Sequence, residues 1–520
     1  MKNAVGREIP EELLAGGKEV YQGKYYMDGK TFHKAGPRVR RAEKPQASKV
    51  LASIREACEK CGAHDGMIVS FHHAFRNGDY VTSMVVKVLV EEMGLKDLTV
   101  ATTSLGSAQD LLADYIEEGK IIGIQSSGVR GRIGEVISAG KLKTPAIIRS
   151  HGGRPRAIET GELAIDITFI AASSADDYGN ANGTGGKNNC GTLGYAVADA
   201  RYANRVVVVT DTLVPFPNMP ASISSIDVDY VVVVVDEVGD PKKIGTKEAR
   251  VTEDPRNLMM AENCAKIMAA TPYFKDGFSF QTGVGGPSLA VNRYLETYMT
   301  ERGIVMGFAL GGMGGNICDL MDKGLVRKLL DTQDFDTKAI AHLAEHPDQH
   351  LEISTSEYAN PANKGAYVNK LDFVVLAALE IDTDFNVNVL TGSDGVLRGA
   401  PGGHPDTAAG SKCCIIVTPL VRGRMATVCK KVVTVTTPGD CVDVLVTDYG
   451  IAVNPVRTDL VDCLDAAGIA HTTIEALQEK AYSLVGEPDE LEWEDRIIAV
   501  LEARDGTILD VVRKIRPLKI

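Results

Sequence analysis

The chain has 520 residues, of which 44 % are hydrophobic, 24 % charged and 6 % aromatic, an ordinary composition for globular domains with large cores. Its formal net charge of −13 argues against a nucleic-acid-binding protein, which normally carries a basic excess. The most apolar runs are far too short to cross a bilayer. The start of the chain has no apolar core of signal-peptide length, so we expect a cytoplasmic protein.

The first part of the chain is predicted to be an arm, and the rest to alternate between strands and helices. Residues 1–46 are rich in Gly, Lys, Arg and Pro and show weak periodicity. A helical pattern begins at Lys49, and strand and helix signals then alternate almost to the end. Valine-rich runs near Val206 and Val231 are typical of parallel strands buried on both faces. This order predicts an α/β protein with mainly parallel sheets.

An internal repeat divides the chain into two halves. Asp-Gly followed by a short strand, a loop and an amphipathic helix occurs at Asp65 and again at Asp276, 211 residues later. Long Gly-rich loops follow later strands and contain Gly185-Gly186 and Gly402-Gly403, 217 residues apart. Landmarks in the same order at similar offsets predict two homologous, open, mainly parallel-sheet halves. We place the first domain at 47–255 and the second at 256–520, with the tail after Asp440 completing the second.

Cysteine and histidine spacing predicts no metal site. Cys58 and Cys61 form a lone C-x-x-C, and no second ligand pair lies at zinc-site spacing. The tandem His72-His73 has no ligand partners at helical spacing. We expect the ten cysteines to be reduced thiols.

Two glycine-rich loops are candidate binding elements. The first, in "QTGVGGPSLAV", holds Gly283, Gly285 and Gly286 between a strand and a helix, where backbone N–H groups favour anionic ligands. A tight strand–helix turn without a ligand explains the same residues, because neither a G-x-G-x-x-G register nor a P-loop lysine is present.

The second loop, "RGAPGGHPDTAAG", holds Gly402 and Gly403 and has no large apolar side chain. Three basic or titratable residues surround it in the sequence, Arg398, His404 and Lys412. Positive charge beside a glycine loop suits an acidic ligand, and arginine binds carboxylates in bidentate fashion.

Glu357 is the candidate catalytic acid. It follows the strand-like "LEIST" and precedes a turn, and ligand sites of open α/β sheets cluster at the ends of strands. A carboxylate there can attack an activated acyl group and form a mixed anhydride. A helix N-cap or a solvated acid is the alternative interpretation.

These motifs carry a family resemblance. The segments "DGFSFQTGVGGPSLAV", "STSEYANP", "GSDGVLRGAPGGHPDTAAGSK" and "ADDYGNANG" resemble the CoA-transferase superfamily. Across almost the whole chain, the sequence is similar to the citrate lyase alpha-chain family within it. The resemblance implies two halves of CoA-transferase (NagB/RpiA-like) type and a citrate CoA-transferase activity. Acetate would be exchanged for citrate on a CoA-like, dephospho-CoA-derived thiol, with no cofactor bound covalently to this chain; acetyl-CoA is the alternative acyl donor.

The resemblance also implies partners. The thiol would be carried by a gamma (acyl carrier) subunit, and a beta (lyase) subunit would cleave the citryl thioester, in a cytoplasmic complex of citrate fermentation. A homo-oligomer is expected, with neither nucleic acid nor membrane as a partner. The alternatives are a CoA-transferase using free CoA and another short acid, a non-catalytic scaffold subunit, and a sugar-phosphate isomerase.

The resemblance assigns roles to the candidate residues. Glu357 matches the glutamate that forms an acyl anhydride in CoA-transferases, but Tyr358 and Ala359 follow where glycine is usual, so attack and orientation of substrate both remain open. The glycines of the two loops would supply backbone donors to an oxyanion. Arg398, His404 and Lys412 would bind the tricarboxylate.

Overall fold

The computed structural model describes residues 1–27, 29–36, 46–245, 252–283 and 285–516. The strands of the first half are β1 (Val50–Leu51), β2 (Ile68–Phe71), β3 (Leu98–Thr102), β4 (Ile121–Ser126), β5 (Ala146–Ile148), β6 (Ile167–Ala172), β7 (Ser174–Ala175), β8 (Ala181–Asn182), β9 (Arg205–Thr210) and β10 (Tyr230–Val233). Its helices are α1 (Ile54–Cys61), α2 (Val81–Lys87), α3 (Leu111–Glu117), α4 (Gly131–Ser138), α5 (Gly153–Glu159) and α6 (Val197–Tyr202).

The second half follows the same alternation. Its strands are β11 (Ser279–Thr282), β12 (Phe308–Met313), β13 (Leu329–Asp334), β14 (His350–Glu352), β15 (Phe373–Ala377), β16 (Glu380–Asp382), β17 (Val387–Asn388), β18 (Cys413–Val417), β19 (Val421–Arg422), β20 (Met425–Ala426), β21 (Val428–Cys429), β22 (Val444–Thr447), β23 (Gly450–Val453), β24 (Trp493–Glu502) and β25 (Ile508–Ile515). Its helices are α7 (Pro255–Ala270), α8 (Gly286–Arg302), α9 (Gly315–Asp322), α10 (Thr337–Glu345), α11 (Thr355–Ala359), α12 (His404–Gly410), α13 (Thr458–Ala466) and α14 (Ile474–Val485).

Two large sheets confirm the α/β prediction and share one strand order. Seven neighbouring strands of the first sheet run β10-β9-β6-β2-β3-β4-β5, and seven of the second run β22-β18-β15-β11-β12-β13-β14. Matching strands in chain order occupy matching places, and the pairings between them are parallel. Hydrophobic residues buried on both faces, such as the valines of β9, explain why these strands read as continuous apolar runs.

The predicted repeat is visible in individual contacts. The Asp65 carboxylate accepts a hydrogen bond from the backbone N–H of Lys96 at 2.9 Å, just before β3. The Asp276 carboxylate accepts one from Val305 N–H at 2.9 Å, just before β12. Each acid therefore ties the start of one strand to the loop that leads into its neighbour.

The Gly-Gly landmark of the repeat was matched wrongly. The Asn182 side chain accepts from the N–H of Gly185, and the Asn388 side chain accepts in the same way from Thr391. Gly185 is therefore equivalent to Thr391, and Gly402-Gly403 instead precede α12 as Tyr195-Ala196 precede α6. The mistake arose because a glycine pair recurs in two different loops of similar composition.

The C-terminal hairpin belongs to the first sheet, contrary to the prediction that the tail completes the second half. β24 pairs in parallel with β5, with Ala499 beside Ala146, and β25 pairs antiparallel with β24. The chain thus returns to its first half after building the second. The sequence did not indicate this return, because the residue pattern of a strand does not show which other strand it pairs with.

The N-terminal arm lies across both halves. Tyr21 donates its N–H to Ile508 O at 3.0 Å, and its hydroxyl donates to Asp440 at 2.9 Å. The arm therefore joins the C-terminal hairpin to a loop of the second half. No helix in the described part of the chain is long and apolar enough to cross a membrane.

Candidate active site between the two halves

The loops after the parallel strands of the two sheets meet in one interface. Gln333, in β13, donates its side-chain amide to the backbone oxygen of His73, just after β2, at 2.7 Å. Thr192 N–H of the first half donates to the Asp334 carboxylate at 3.0 Å. The two carboxyl edges thus face each other. Crevices outside the carboxyl ends of parallel strands are the usual ligand sites of open α/β sheets.

Three aromatic rings line this interface. The rings of His73 and His151 each lie against Tyr195, with centroid distances of 4.7 and 4.8 Å. The two histidine rings stack on each other at 6.0 Å. Tyr195 is buried, whereas both histidines are partly exposed. The cluster is therefore a floor that a ligand entering between the halves can touch.

Both histidines of this cluster are neutral at physiological pH. Burial, the neighbouring His151 ring and Arg76 hold the pKa of His73 well below its usual value. Burial and the positive charge of Arg130 lower the pKa of His151 to about 3. A neutral imidazole has one N–H donor and one acceptor nitrogen. Each ring can therefore donate a hydrogen bond to a carbonyl or carboxylate oxygen without itself being charged.

The loop around Gly402 closes against this cluster. Gly402 O accepts from His151 N–H at 2.9 Å, and Gly402 N–H donates to Ser127 O at 3.3 Å. Gly402 has φ of +53°, and a Cβ there would lie 3.2 Å from the His151 ring. A Cβ on Gly403 would lie 2.5 Å from the Tyr358 hydroxyl. Gly402 and Gly403 have no room for a side chain because they pack on residues from both halves.

Asp406 holds the two halves together beside the loop. Its carboxylate accepts hydrogen bonds from the Ser150 hydroxyl and the Gly152 N–H, both at 2.9 Å. Arg504, in the turn of the C-terminal hairpin, lies 3.6 Å from the same carboxylate. Burial raises the pKa of Asp406 to about 6, against the lowering effect of Arg504. A cavity of about 30 Å³ adjoins this contact.

The first predicted glycine loop has the expected place in the fold. Gly283 follows β11, and Gly286 is the first residue of the 17-residue helix α8. Gly283 donates its N–H to Val375 O at 2.8 Å, so that donor is already used within the sheet. Binding of a ligand by Gly283, Gly285 and Gly286 stays a prediction.

Glu357 caps a helix. Ser354 donates both its N–H and its hydroxyl to the Glu357 carboxylate at 2.8 Å, and Glu357 N–H donates back to the Ser354 hydroxyl at 3.1 Å. This reciprocal pattern is a capping box at the start of α11. The Glu357 side chain is otherwise exposed. Ser354 is thus the N-cap residue, and Glu357 is the N3 residue that completes the capping box.

Two of the predicted citrate-binding residues are not available in the cleft. His404 is buried, with one ring nitrogen bonded to the Thr437 hydroxyl at 2.7 Å and the other to Ala377 O at 3.1 Å. Lys412 precedes β18, so it lies at the amino edge of the sheet, paired with Asp372 at 2.6 Å. Closeness in sequence to the glycine loop misled the prediction, because α12 carries the chain from one edge to the other.

Arg398 and the first-half arginine Arg154 differ in their surroundings. Arg398 is exposed and its guanidinium pairs with Asp394. Arg154 is buried and bonded to Asp199 through both terminal nitrogens at 2.6 Å. Arg398 therefore stays a predicted citrate contact, while Arg154 belongs to the core.

Sequence reasoning missed the ring cluster. His73 was considered only as part of the tandem His72-His73, and neither Tyr195 nor Asp406 was singled out. The available signal was positional: His73 and His151 follow first-half strands, and Tyr195 precedes a helix at the place that Gly402 occupies in the second half.

Titration of His404 provides a test of its burial. Burial lowers its pKa from 6.5 to about 4, so between these values the unfolded chain binds more protons and stability falls as the pH is lowered. We expect the stability deficit of His404→Gln relative to the unmodified chain to shrink by about 2 kcal/mol from pH 7 to pH 5. Urea unfolding at each pH measures this, with exposed His64→Gln as the matched substitution. A deficit that stays constant over that range contradicts the assignment.

The repeated strand order and the facing carboxyl edges define a two-half α/β protein of the CoA-transferase type. The family model "Citrate lyase, alpha subunit" matches residues 47–515. This chain therefore belongs to the citrate lyase alpha subunit family, and as such is one subunit of a larger complex.

Close relatives agree with this assignment. The citrate lyase alpha chain of Klebsiella pneumoniae is 53 % identical over 468 residues, covering 90 % of this chain and 92 % of the relative. That of Escherichia coli K12 is 51 % identical over 485 residues, covering 93 % and 94 %. A citrate lyase alpha subunit from Streptococcus mutans, solved in complex with citrate, superposes with a TM-score of 0.95 at 48 % identity over 99 % of this chain and 100 % of that one.

More distant structures share the fold alone. A malonate decarboxylase alpha subunit from Acinetobacter baumannii is 16 % identical and superposes with a TM-score of 0.62, covering 84 % of this chain and 87 % of that one.

Proposed function

We propose that this subunit exchanges acetate for citrate on a CoA-like thioester, in the crevice between its two halves. A citrate carboxylate attacks the acetyl thioester carbonyl and the thiolate leaves, giving a citric–acetic anhydride. The thiolate then attacks the citryl carbonyl, forming citryl thioester and releasing acetate. The observation that carries this proposal is the crevice floor of two neutral histidines and Tyr195, closed by the Gly402 loop, in a member of the citrate lyase alpha family.

The chemistry needs donors to the oxyanion and protection from water. Each attack places negative charge on a carbonyl oxygen, and preorganised N–H donors stabilise it. We assign this work to the neutral His73 and His151 rings and to backbone N–H groups of the glycine loops other than those of Gly283 and Gly402, which bond within the protein. A crevice between two packed halves limits water, which otherwise hydrolyses the anhydride.

The acyl group is proposed to arrive on the dephospho-CoA-derived arm of a gamma subunit, with a beta subunit cleaving the product, in a cytoplasmic complex. Arg398 is the remaining predicted cation for the tricarboxylate. Free acetyl-CoA is the simpler donor that an assay of the isolated chain uses.

The test is a transfer assay on the purified full chain with acetyl-CoA and citrate, followed by mass spectrometry of the CoA esters. We expect citryl-CoA and acetate in equal amounts. Transfer confined to another short acid would instead identify an ordinary CoA-transferase. Absence of transfer by a chain that still binds the carrier subunit in a separate binding assay would identify a scaffold.

We propose that Glu357 positions α11 and does not attack the thioester. Glutamine also completes a capping box, so Glu357→Gln is expected to keep the transfer rate within about threefold. Glu357→Ala loses the bond to Ser354 N–H, and we expect it to cost about 1 kcal/mol of stability. Steady-state rates and urea unfolding of both variants check this. Glutamine cannot replace a carboxylate nucleophile. A fall in the transfer rate of Glu357→Gln by several orders of magnitude would therefore contradict the proposal.

A further inference from the structure

A buried sulfur–nitrogen cluster lies in the second half, outside the residues assigned to transfer. Cys318 belongs to α9, His342 to α10, and His350 is the first residue of β14. All three side chains are buried, with exposures of 0 %, 5 % and 1 %. One ligand atom from each lies within 4.8 Å of those of the other two. Three different elements thus aim metal-ligating side chains at one point.

Two neighbouring carboxyl groups and the contact between the rings fix the orientation of the two imidazoles. His350 places Nε2 3.0 Å from the Asp331 carboxylate, and His342 places Nε2 3.4 Å from Asp322. Their Nδ1 atoms face each other at 3.0 Å. When each Nε2–H donates to an ionised carboxylate, each Nδ1 presents a lone pair, and two lone pairs 3.0 Å apart repel unless a cation lies between them.

The thiol and the two imidazoles supply three of the four ligands of a tetrahedral zinc site, which leaves the fourth position for water. Metal-bound histidines characteristically donate the other ring N–H to a carboxylate, which fixes the tautomer. Zinc lies about 2.0–2.1 Å from a histidine nitrogen and about 2.3 Å from a thiolate, so two nitrogen ligands in tetrahedral geometry are roughly 3.3 Å apart. The observed Nδ1 separation of 3.0 Å requires little adjustment.

We propose that Cys318 Sγ, His342 Nδ1 and His350 Nδ1 bind a zinc-class transition-metal ion, with Asp331 and Asp322 orienting the two imidazoles. The thiol proton of Cys318 is released to solvent on binding, so the thiolate is the ligand. Thiolate and imidazole together favour zinc over magnesium or calcium, which prefer oxygen ligands.

Two neighbouring groups offer different sites. Asp331, Asp334 and His350 form an inner group, whereas Asp322, His342 and His346 form an outer group that reaches the surface. The thiolate distinguishes the proposed site from both, because neither contains sulfur. Binding at either of the other groups would leave Cys318 without a role.

A metal-free arrangement of the same residues predicts no metal binding. Burial raises the pKa of Asp331 to about 8. A protonated Asp331 donates to His350 Nε2, and His350 then donates from Nδ1 to His342. This chain of hydrogen bonds relieves the lone-pair conflict without a metal ion.

A bound ion would tie the edge of the second sheet together. It would link two helices to β14, which leads through Glu352 to the cap of α11. Glu352 contacts the first half through Leu193 N–H at 2.5 Å and the Ser222 hydroxyl at 2.6 Å. The proposed role is therefore to stabilise one wall of the interface, separate from the acyl transfer itself.

The experiment measures metal bound by the full chain after exhaustive dialysis, and zinc affinity by competition with a chromophoric chelator. We expect about one zinc per chain, with binding weakened at least about 100-fold in Cys318→Ser and His342→Gln. Cys463→Ser, on the partly exposed α13 cysteine, and His346→Gln should bind as the unmodified chain does. Cobalt substitution should give a thiolate-to-metal charge-transfer band that Cys318→Ser lacks.

The same variants also show whether each protein folds and which of the three ligand groups binds the metal ion. Circular dichroism verifies that each variant is folded, and zinc should raise the Tm of the unmodified chain but not of Cys318→Ser. If Cys318→Ser fails to fold, two other measurements test the proposal. These are the thiolate-to-cobalt charge-transfer band of the unmodified chain and the zinc affinity of His342→Gln. Absence of bound metal, or loss only in Asp334→Asn or only in His346→Gln, would overturn the proposal.

Discussion

His151→Ala is expected to lower the rate of acyl transfer about 100-fold while leaving the fold intact, the effect usual for removing one donor to an oxyanion. The His151 ring is neutral, stacks on His73 and contacts Tyr195 on the crevice floor. Its backbone N–H, which anchors Gly402, is retained in the variant. The effect should therefore fall on chemistry, measured as the rate at saturating acetyl-CoA and citrate.

Two variants control for this result. His151→Gln restores a side-chain N–H and should recover part of the rate, and His64→Gln, at an exposed position, should transfer as the unmodified chain does. A His151→Ala rate within a factor of three of the unmodified chain would remove the ring from the proposed mechanism.

Asp406→Ala is expected to destabilise the protein by about 3 kcal/mol and to abolish most transfer. The substitution leaves the Ser150 hydroxyl and the Gly152 N–H without their acceptor in a buried interface, and leaves Arg504 without its carboxylate. Because these contacts join the two halves, the loops that form the crevice should also shift relative to each other.

Urea unfolding and transfer assays measure both effects. Asp114→Ala is the matched control, since it removes a half-exposed carboxylate of α3 whose partner Arg132 also pairs with Glu117. It should change stability by well under 1 kcal/mol, as exposed ion pairs do. Equal destabilisation by the two variants would contradict the interface role of Asp406.

Much of the fold could be predicted from the sequence because short local patterns mark each copy of the repeat. Alternating strands and helices, the paired Asp65 and Asp276, and valine-rich buried strands predicted two parallel-sheet halves, which the shared strand order confirms. The return of the C-terminal hairpin to the first sheet was not predictable in this way. Strand pairing across more than 300 residues depends on tertiary packing.

The candidate site was only partly predictable for a related reason. Gly402 was identified from composition, but its neighbours His151 and Tyr195 come from the other half, so sequence distance hides their contact. Lys412 shows the converse, because a seven-residue helix separates it from the loop it adjoins in sequence. Motifs locate single loops, whereas a crevice between two halves is set by how those halves dock.

A crystal structure of the full chain with citrate and a non-hydrolysable acetyl-CoA analogue tests the central claim most directly. The account predicts the thioester-mimicking carbonyl between the two halves, within hydrogen-bonding distance of the His73 or His151 ring and beside the Gly402 loop. An analogue seated at the amino edge of the second sheet near Lys412, or with its carbonyl against Glu357 and away from both histidines, would contradict it.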